Sequence, residues 1–531
     1  MNGLDRLRLR RVADRLLLPS DRLAGPGMTL GLVLEGELAV HRSAGMASVE
    51  LGVPIGPGTT FRIASVSKQF TCAAILLLAA EGKLRVDDDV REWLPELPSL
   101  GVRITLDHLM HNSSGIRDML EIMRMGGVDL LQPVTHDDLL AGICRQRGLN
   151  FPPGSRYLYS NSNFLLLGRV IEKASSQSLR EFLDRRIFGP VGMTATRHVE
   201  NPAASVPGLA TGYFAAGNGG WRRAEHGFPL HGEGGLVSSV EDLALWHRHL
   251  GSSRGAALAE ALTARMDFTN GRPNAYARGV GLRRYRGVSI VEHGGLWPGY
   301  KTAFLRIPNQ ELALICITND AGADPHAVAA QALDAVLDDM PGVHAAPALP
   351  APIELGRYTG RWIDRTGGAT ADIALRDDDA LTVTTYGVPF VAGATEDGRL
   401  GNRTYSTPFT FRLLGSGDEL EVEQDAGTVV VYHRAAEVAA LPEGLSGRYV
   451  NDDMAASWTI DGTLVTVAGP LRVGTRWSIE PVEGDVIRVV APTVLYAAWL
   501  DGRVLREGSG RITGLAVDGG RARRLVFRRV D

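Results

Sequence analysis

Near residue 341 the chain changes pattern, and this break limits what it can fold into more than any other feature. Pro341–Pro352 (PGVHAAPALPAP) is a Pro/Ala stretch without periodicity and reads as an extended linker. Before it, helical patterns alternate with short strands. Thr29–Val40 reads as a hairpin turning at Glu35-Gly36, and Val66–Ala80 as a buried helix. Asn163–Ala174 and Ser239–Leu250 read as amphipathic helices, and Val288–Glu292 and Leu312–Thr318 as β-branched strands. After it, helix patterns almost vanish and short alternating strands follow, broken by turns such as Asp461-Gly462 and Asp501-Gly502. A long α/β (α+β) domain over residues 1–340, followed by antiparallel β structure, is the expectation.

The β half carries a faint internal repeat. Gly356-Arg357-Tyr358-Thr359-Gly360 recurs as Gly447-Arg448-Tyr449-Val450. Each copy closes on a similar strand, Val431-Tyr432-His433-Arg434 and Val526-Phe527-Arg528-Arg529, with Glu437–Gly444 as the seam. Two related antiparallel barrels, at 353–436 and 444–531, fit better than one large sheet.

With 56 basic against 60 acidic residues in 531, bulk charge gives no reason to expect a nucleic-acid or membrane partner. Cys72, Cys144 and Cys316 are scattered, so they form neither a disulfide scaffold nor a metal motif and read as buried small side chains. Charges interrupt the apolar stretches of the N-terminus, and the run Cys72–Ala80 is too short to cross a bilayer, so a cytoplasmic location is expected.

Three segments carry chemistry. In Phe61–Phe70 (FRIASVSKQF), Ser65 and Lys68 stand at i and i+3 where an apolar strand runs into a helix. A lysine there reaches the serine hydroxyl, and it acts as a base if burial lowers its pKa. In Phe151–Phe164, Tyr159-Ser160-Asn161 lies between a Pro-Gly turn and a helix, where a phenol can relay a proton and a carboxamide can bind a carbonyl. In Val288–Tyr300, His293-Gly294-Gly295 ends a β-branched strand whose glycines let a substrate approach the backbone. Taken singly, each has a plainer reading: a chance S-x-x-K, an aromatic turn with an Asn cap, a hairpin bulge with a surface His.

Together, in this order, they resemble the penicillin-recognising serine hydrolases: class C β-lactamases, D,D-peptidases and their esterase and aminopeptidase relatives. Gly82–Pro98, Leu109–Gly115 (LMHNSSG) and Gly234–Trp246 are similar to the same family, over roughly residues 25–330. The resemblance implies a β-lactamase/transpeptidase-like catalytic domain, with Ser65 as nucleophile and Lys68 and Tyr159 sharing proton transfer. It further implies that Asn161 binds the acyl side and that His293, Gly294, Gly295 and Leu296 line the opposite strand. The oxyanion hole would then use the Ser65 N–H and that of Gly295 or Leu296.

His293 stands where most β-lactamases and D,D-peptidases carry Lys or Arg, which disfavours binding of a terminal carboxylate. With two appended β-domains, that HGG resembles the bacterial D-aminopeptidases. The resemblance implies short peptide, amide or ester substrates with an N-terminal D-residue, no cofactor or metal, and pairing into a homodimer. Alternatives are an esterase, a D-amino-acid amidase or a peptide cyclase/thioesterase of the same superfamily, or a catalytically silent binding protein. In those aminopeptidases a loop of the last domain brings an acid to the substrate amine. Its counterpart here is expected at Val490–Trp499, which holds no acid; Asp485 and Asp501 flank it. Gly217–Gly220 reads as a loop, Asp87-Asp88-Asp89 as a helix start, His108 and His111 as packing residues, and Arg521–Arg529 as an exposed final strand.

Overall fold

A computed structural model of the chain describes residues 5–21, 24–217, 219–340, 342–345, 352–376, 380–395, 399–402, 409–424, 427–436, 440–495 and 498–531. Residues 341 and 346–351 of the expected linker, 437–439 of the expected seam, and Asn218 of the Gly217–Gly220 loop lie outside the described residues.

The first part is built on a six-stranded antiparallel sheet. Its order is Gly281–Tyr285, Val288–Trp297, Tyr300–Ile307, Leu312–Thr318, Met28–Leu34 and Glu37–Ala44. Glu35 and Gly36, both at positive φ, make the tight turn of the last pair. Every residue of Met28–Leu34 and Leu312–Thr318 is buried, because helices cover both faces of the sheet. Arg6–Leu17 and Pro325–Leu337 pack on one face through Leu9, Ala13, Leu333 and Val336. The larger core on the other face holds Val240–Gly251, the helix Lys68–Ala80 and the helix Asn161–Ser175. Lys68–Ala80 is apolar on nearly all sides and is accordingly buried almost throughout.

Two closed eight-stranded antiparallel barrels follow, their strands running from Gly360 to Arg434 and from Gly447 to Arg529. Each closes by pairing its first strand with its last, Trp362 against Arg434 and Tyr449 against Arg529. The repeat is therefore real but offset from its sequence alignment. Gly360-Arg361-Trp362 is the counterpart of Gly447-Arg448-Tyr449, both glycines have positive φ, and the arginine of each last strand lies over the aromatic ring of the first. The earlier Gly356-Arg357-Tyr358 instead ends the short helix Pro352–Gly356 and turns into the strand.

The barrels are not tethered loosely. Ile122 and Met125, from the helix Met119–Met125 of the first part, belong to the apolar core of the second barrel, and Trp458 Nε1 donates to the Met125 carbonyl at 3.0 Å. The barrels meet where Arg488 pairs with Asp372 at 2.8 Å. Asp501-Gly502 is not a turn but lies inside the strand Trp499–Arg506, and two further expectations need correction. Cys144 is half-buried, unlike Cys72 and Cys316, and the strand carrying His293 runs on to Trp297, so the glycine pair lies inside it. Among the described residues no helix is long and apolar enough to cross a membrane.

Candidate active site

The strand Phe61–Arg62 turns into the helix Lys68–Ala80 through a short 3-10 turn, Ala64–Ser67. Ala64 sits at φ 46°, a left-handed conformation that costs an alanine about 1–2 kcal/mol. The strained turn presents Ser65 at the mouth of the helix, while Lys68, one turn later, points inward and is fully buried.

Lys68 Nζ lies 3.0 Å from Ser65 Oγ and 2.9 Å from Asn161 Oδ1, and it also meets the Glu233 carbonyl. The last two groups accept only. A neutral amine donating to both turns its lone pair to the Ser65 hydroxyl, the one partner able to donate a proton. Burial pushes the amine down to about 7, aided by Arg521 and opposed by Glu233 and Asp118. Neutral Lys68 is thus well populated near neutral pH.

Asn161 opens the helix Asn161–Ser175, so the plainer reading of it as a cap does not hold; the cap position is Ser160. Its backbone N–H and Nδ2 both donate to Asp118 Oδ2, at 2.6 and 3.0 Å. Asp118 is itself fully buried and caps the helix Met119–Met125 through its other oxygen. The turn before Asn161 is fixed by Asn112, whose Oδ1 accepts from the Ser160 N–H at 3.0 Å and from Asn163 Nδ2 at 2.9 Å. This accounts for the Leu109–Gly115 segment, which is buried from end to end and braces the turn from behind. The Tyr159 phenol is within hydrogen-bonding reach of Ser65, and burial raises its pKa far above the usual value. Lys68 Nζ lies 4.9 Å from the centre of the Tyr159 ring.

Across from Ser65 runs Val288–Trp297. Its pairing with Gly281–Tyr285 stops at Glu292, so among the described residues 293–297 pair on one side only, with Tyr300–Phe304. A Cβ on Gly295 would lie 2.2 Å from the Ile63 carbonyl, which is why only glycine lets this strand close on the serine turn. His293 Nε2 meets the Tyr276 hydroxyl at 2.8 Å and Nδ1 meets the Gly294 carbonyl at 2.6 Å. Burial, with the nearby Lys68 charge, pushes the imidazole down to about 3, so no cation stands here at physiological pH. Leu296 is the exposed apolar side chain of this edge.

These residues face one pocket of about 830 Å³, lined by Ser65, Tyr159, Asn161, His293, Gly294, Gly295 and Leu296. Both barrels contribute to its walls. Tyr386 and Tyr432 come from the first; Leu495, Asp518, Arg521 and Arg523 come from the second. The expected loop does reach the first part, since Val494 and Leu495 pack on its core; Tyr496 and Ala497 lie outside the described residues. Neither flanking acid is at the pocket. Asp485 pairs with Arg506, and Asp501 accepts from Thr370 between the barrels, where burial pushes it up to about 7.

The acid of the second barrel that lines the pocket is Asp518, the last residue of the strand Ile512–Asp518, which leads into the loop carrying Arg521 and Arg523. This overturns the reading of Arg521–Arg529 as an exposed strand: the strand begins at Leu525, and Arg521 pairs with Glu121 at 3.0 Å. Sequence reasoning missed Asp118, Glu121, Glu233, Tyr276 and Arg521. Asp118 alone had a local signal, three residues past the Leu109–Gly115 segment and just before a helix. The remaining motifs are structural. Asp89 caps Val90–Trp93, Thr105 caps Leu106–Met110 with His108 Nδ1 accepting from the Thr105 N–H at 3.2 Å, and His111 bonds to the Asp107 carbonyl at 2.9 Å.

The Beta-lactamase family model matches residues 19–338. A D-aminopeptidase of Cereibacter sphaeroides is 29% identical, over 95% of this chain and 96% of its own. A D-aminopeptidase of Gluconobacter oxydans is 31% identical over 66% of each. Among solved structures, the octameric penicillin-binding protein homologue from Pyrococcus abyssi superposes with a TM-score of 0.58 at 21% identity, covering 88% of this chain and 98% of that one. The D-amino acid amidase from Ochrobactrum anthropi SV3, complexed with D-phenylalanine, gives 0.53 at 23% identity over 63% of this chain and 100% of its own.

Proposed function

The chain belongs to the Beta-lactamase family, and from that premise we propose that it is a D-stereospecific aminopeptidase working through an acyl-enzyme on Ser65. The observation that carries the chemistry is the buried Lys68 amine, lowered to about 7 and 3.0 Å from the Ser65 hydroxyl. The substrate class rests on likeness over nearly the whole length to a D-aminopeptidase.

In this reading neutral Lys68 takes the Ser65 proton as Oγ attacks the carbonyl of an amide or ester. The N–H groups of Ser65 and of Gly295 or Leu296 receive the oxyanion. Lys68 then returns the proton, through the Tyr159 hydroxyl, to the leaving nitrogen, and the acyl group stays on Ser65. Water, deprotonated by the same pair, attacks the ester carbon and frees the acid. The Tyr159 phenol acts as donor and relay, since burial keeps it protonated. Asn161 orients Lys68 and, with its second amide hydrogen, the acyl side.

The neutral His293 gives a carboxylate no counter-charge, which favours substrates whose charge is an ammonium instead. Glu121 and Asp518 are two of the carboxylates that line the pocket, beside Glu233, Glu292 and Asp364, and either can meet that ammonium. Burial works to raise Glu121, but Arg124 and Arg521 outweigh it and hold the carboxyl below its usual range, so it is charged. Release of p-nitroaniline from D-alanyl and L-alanyl p-nitroanilide tests the reading. Faster turnover of the D form is expected. Equal rates, or turnover only of N-acylated or uncharged esters, would replace it with an esterase of the same mechanism.

A further inference from the structure

We infer that Arg521, on a loop of the second barrel, is a positioning residue for Lys68: its guanidinium steadies the Asp118 carboxylate that grips Asn161, the side chain on which the Lys68 amine hangs. This rests on Lys68 being the base proposed above.

The loop 519–524, between the strands Ile512–Asp518 and Leu525–Arg529, is docked by its backbone. The Arg521 carbonyl accepts from the Asp118 N–H at 3.1 Å and from Asn150 Nδ2 at 3.0 Å. Asn150 Oδ1 accepts from the Arg523 N–H at 2.8 Å, and Arg117 Nε donates to the Arg523 carbonyl at 3.1 Å. Gly520, at φ 77°, closes the loop where a Cβ would stand 3.2 Å from the Tyr386 ring of the first barrel. Residues of all three folding units therefore surround the loop.

Its guanidinium reaches back across the site. Nη2 lies 3.0 Å from Glu121 Oε1 and 3.6 Å from Asp118 Oδ1, with the group 5.9 Å from the centre of the Tyr159 ring. Asp118 spans the junction: Oδ1 faces Arg521, while Oδ2 takes both donors of Asn161. From there Asn161 Oδ1 meets Lys68 Nζ at 2.9 Å and Lys68 meets Ser65 at 3.0 Å. One continuous series of polar contacts runs from the last barrel to the nucleophile.

The charged and titratable groups facing Lys68 are Glu233 and Asp118, Arg521, the Cys72 thiol, Tyr159 and His293. Removing Arg521 leaves the two acids of this set opposed by less positive charge, and both favour the protonated amine. The same removal loosens the Asp118–Asn161 arm. A base that stays protonated to higher pH acylates only at higher pH.

The test is the rate at which a fluorophosphonate labels Ser65 between pH 5 and 9, read by intact mass on the full chain for wild type, Arg521→Ala, Arg521→Gln and Arg521→Lys. The midpoint of the rise in rate is expected to move up by about one pH unit in the neutral variants, the scale for loss of a nearby charge at an effective dielectric of about 20. Arg521→Lys should return part of the shift. A loop that is only structural lowers the rate without moving the midpoint, so labelled Arg521→Gln with an unshifted midpoint overturns the inference alone. Wild type never labelled at Ser65 overturns the proposed function and this inference with it.

Discussion

Lys68 donates to the side-chain oxygen of Asn161 at 2.9 Å, joining the helix Lys68–Ala80 to the first residue of a helix 93 residues further along the chain. The same amine stands 3.0 Å from Ser65, so one buried nitrogen joins the Ser65 hydroxyl to the Asn161 carboxamide. Its burial sets the first prediction. Lys68 must be neutral to accept the serine proton, and it is protonated below about 7. Raising pH from 5 to 8 should increase kcat/KM along one ionisation centred near 7. A profile flat across that window contradicts Lys68 as the base. His293 does not share the limb, because its imidazole, pushed to about 3, stays neutral throughout; His293→Gln should leave the midpoint where it is.

Tyr159→Phe removes a hydroxyl and keeps the ring that packs near Lys68, 4.9 Å from Nζ. Loss of one positioned proton relay should lower kcat/KM by about 10²–10⁴, with the melting temperature close to wild type. Unchanged turnover of the nitroanilide would remove the phenol from the mechanism.

Gly295→Ala places a methyl 2.2 Å from the Ile63 carbonyl, a backbone atom that cannot rotate away. The strand must retreat from the Ser65 turn, and a displacement of about 1 Å is worth roughly 10² in rate. The loss should fall on kcat more than on KM, measured by steady-state kinetics alongside thermal denaturation.

Met125 is fully buried at the junction where the second barrel takes a catalytic-domain helix into its core. Met125→Ala should cost about 2–5 kcal/mol of stability, read by urea denaturation. It should also lower activity, because the loop carrying Arg521 is held against the adjacent Asp118. Full activity in a destabilised variant would separate the barrel from the site.

What could be read from the residues, and what could not, divides on physical lines. Ser65 and Lys68 were legible because three residues of helix fix their relation locally. The hairpin at Glu35-Gly36 and the strand Leu312–Thr318 were legible because periodicity and turn chemistry are local too. The strand carrying His293 reads as shorter than it is because Gly294 and Gly295 look like a terminus, whereas Gly295 is there to admit the Ile63 carbonyl. The barrel repeat aligns by sequence four residues off, since Gly-Arg-Tyr stands at 356–358 and the structural counterpart of Gly447-Arg448-Tyr449 is Gly-Arg-Trp at 360–362. Arg521 was invisible for a different reason. Its loop docks largely through backbone carbonyls, at Asp118, Asn150 and Arg117, and such contacts leave no pattern in side-chain type.

In the proposed mechanism every turnover passes through an acyl group on the Ser65 oxygen. Quenching the enzyme in acid during turnover of a D-alanyl ester, then mapping peptides by mass, measures it directly. A D-alanyl adduct is expected on the peptide containing Ser65, absent from Ser65→Ala, which should also lose turnover. An adduct on another residue, or a Ser65→Ala variant that still turns over the ester, would contradict it.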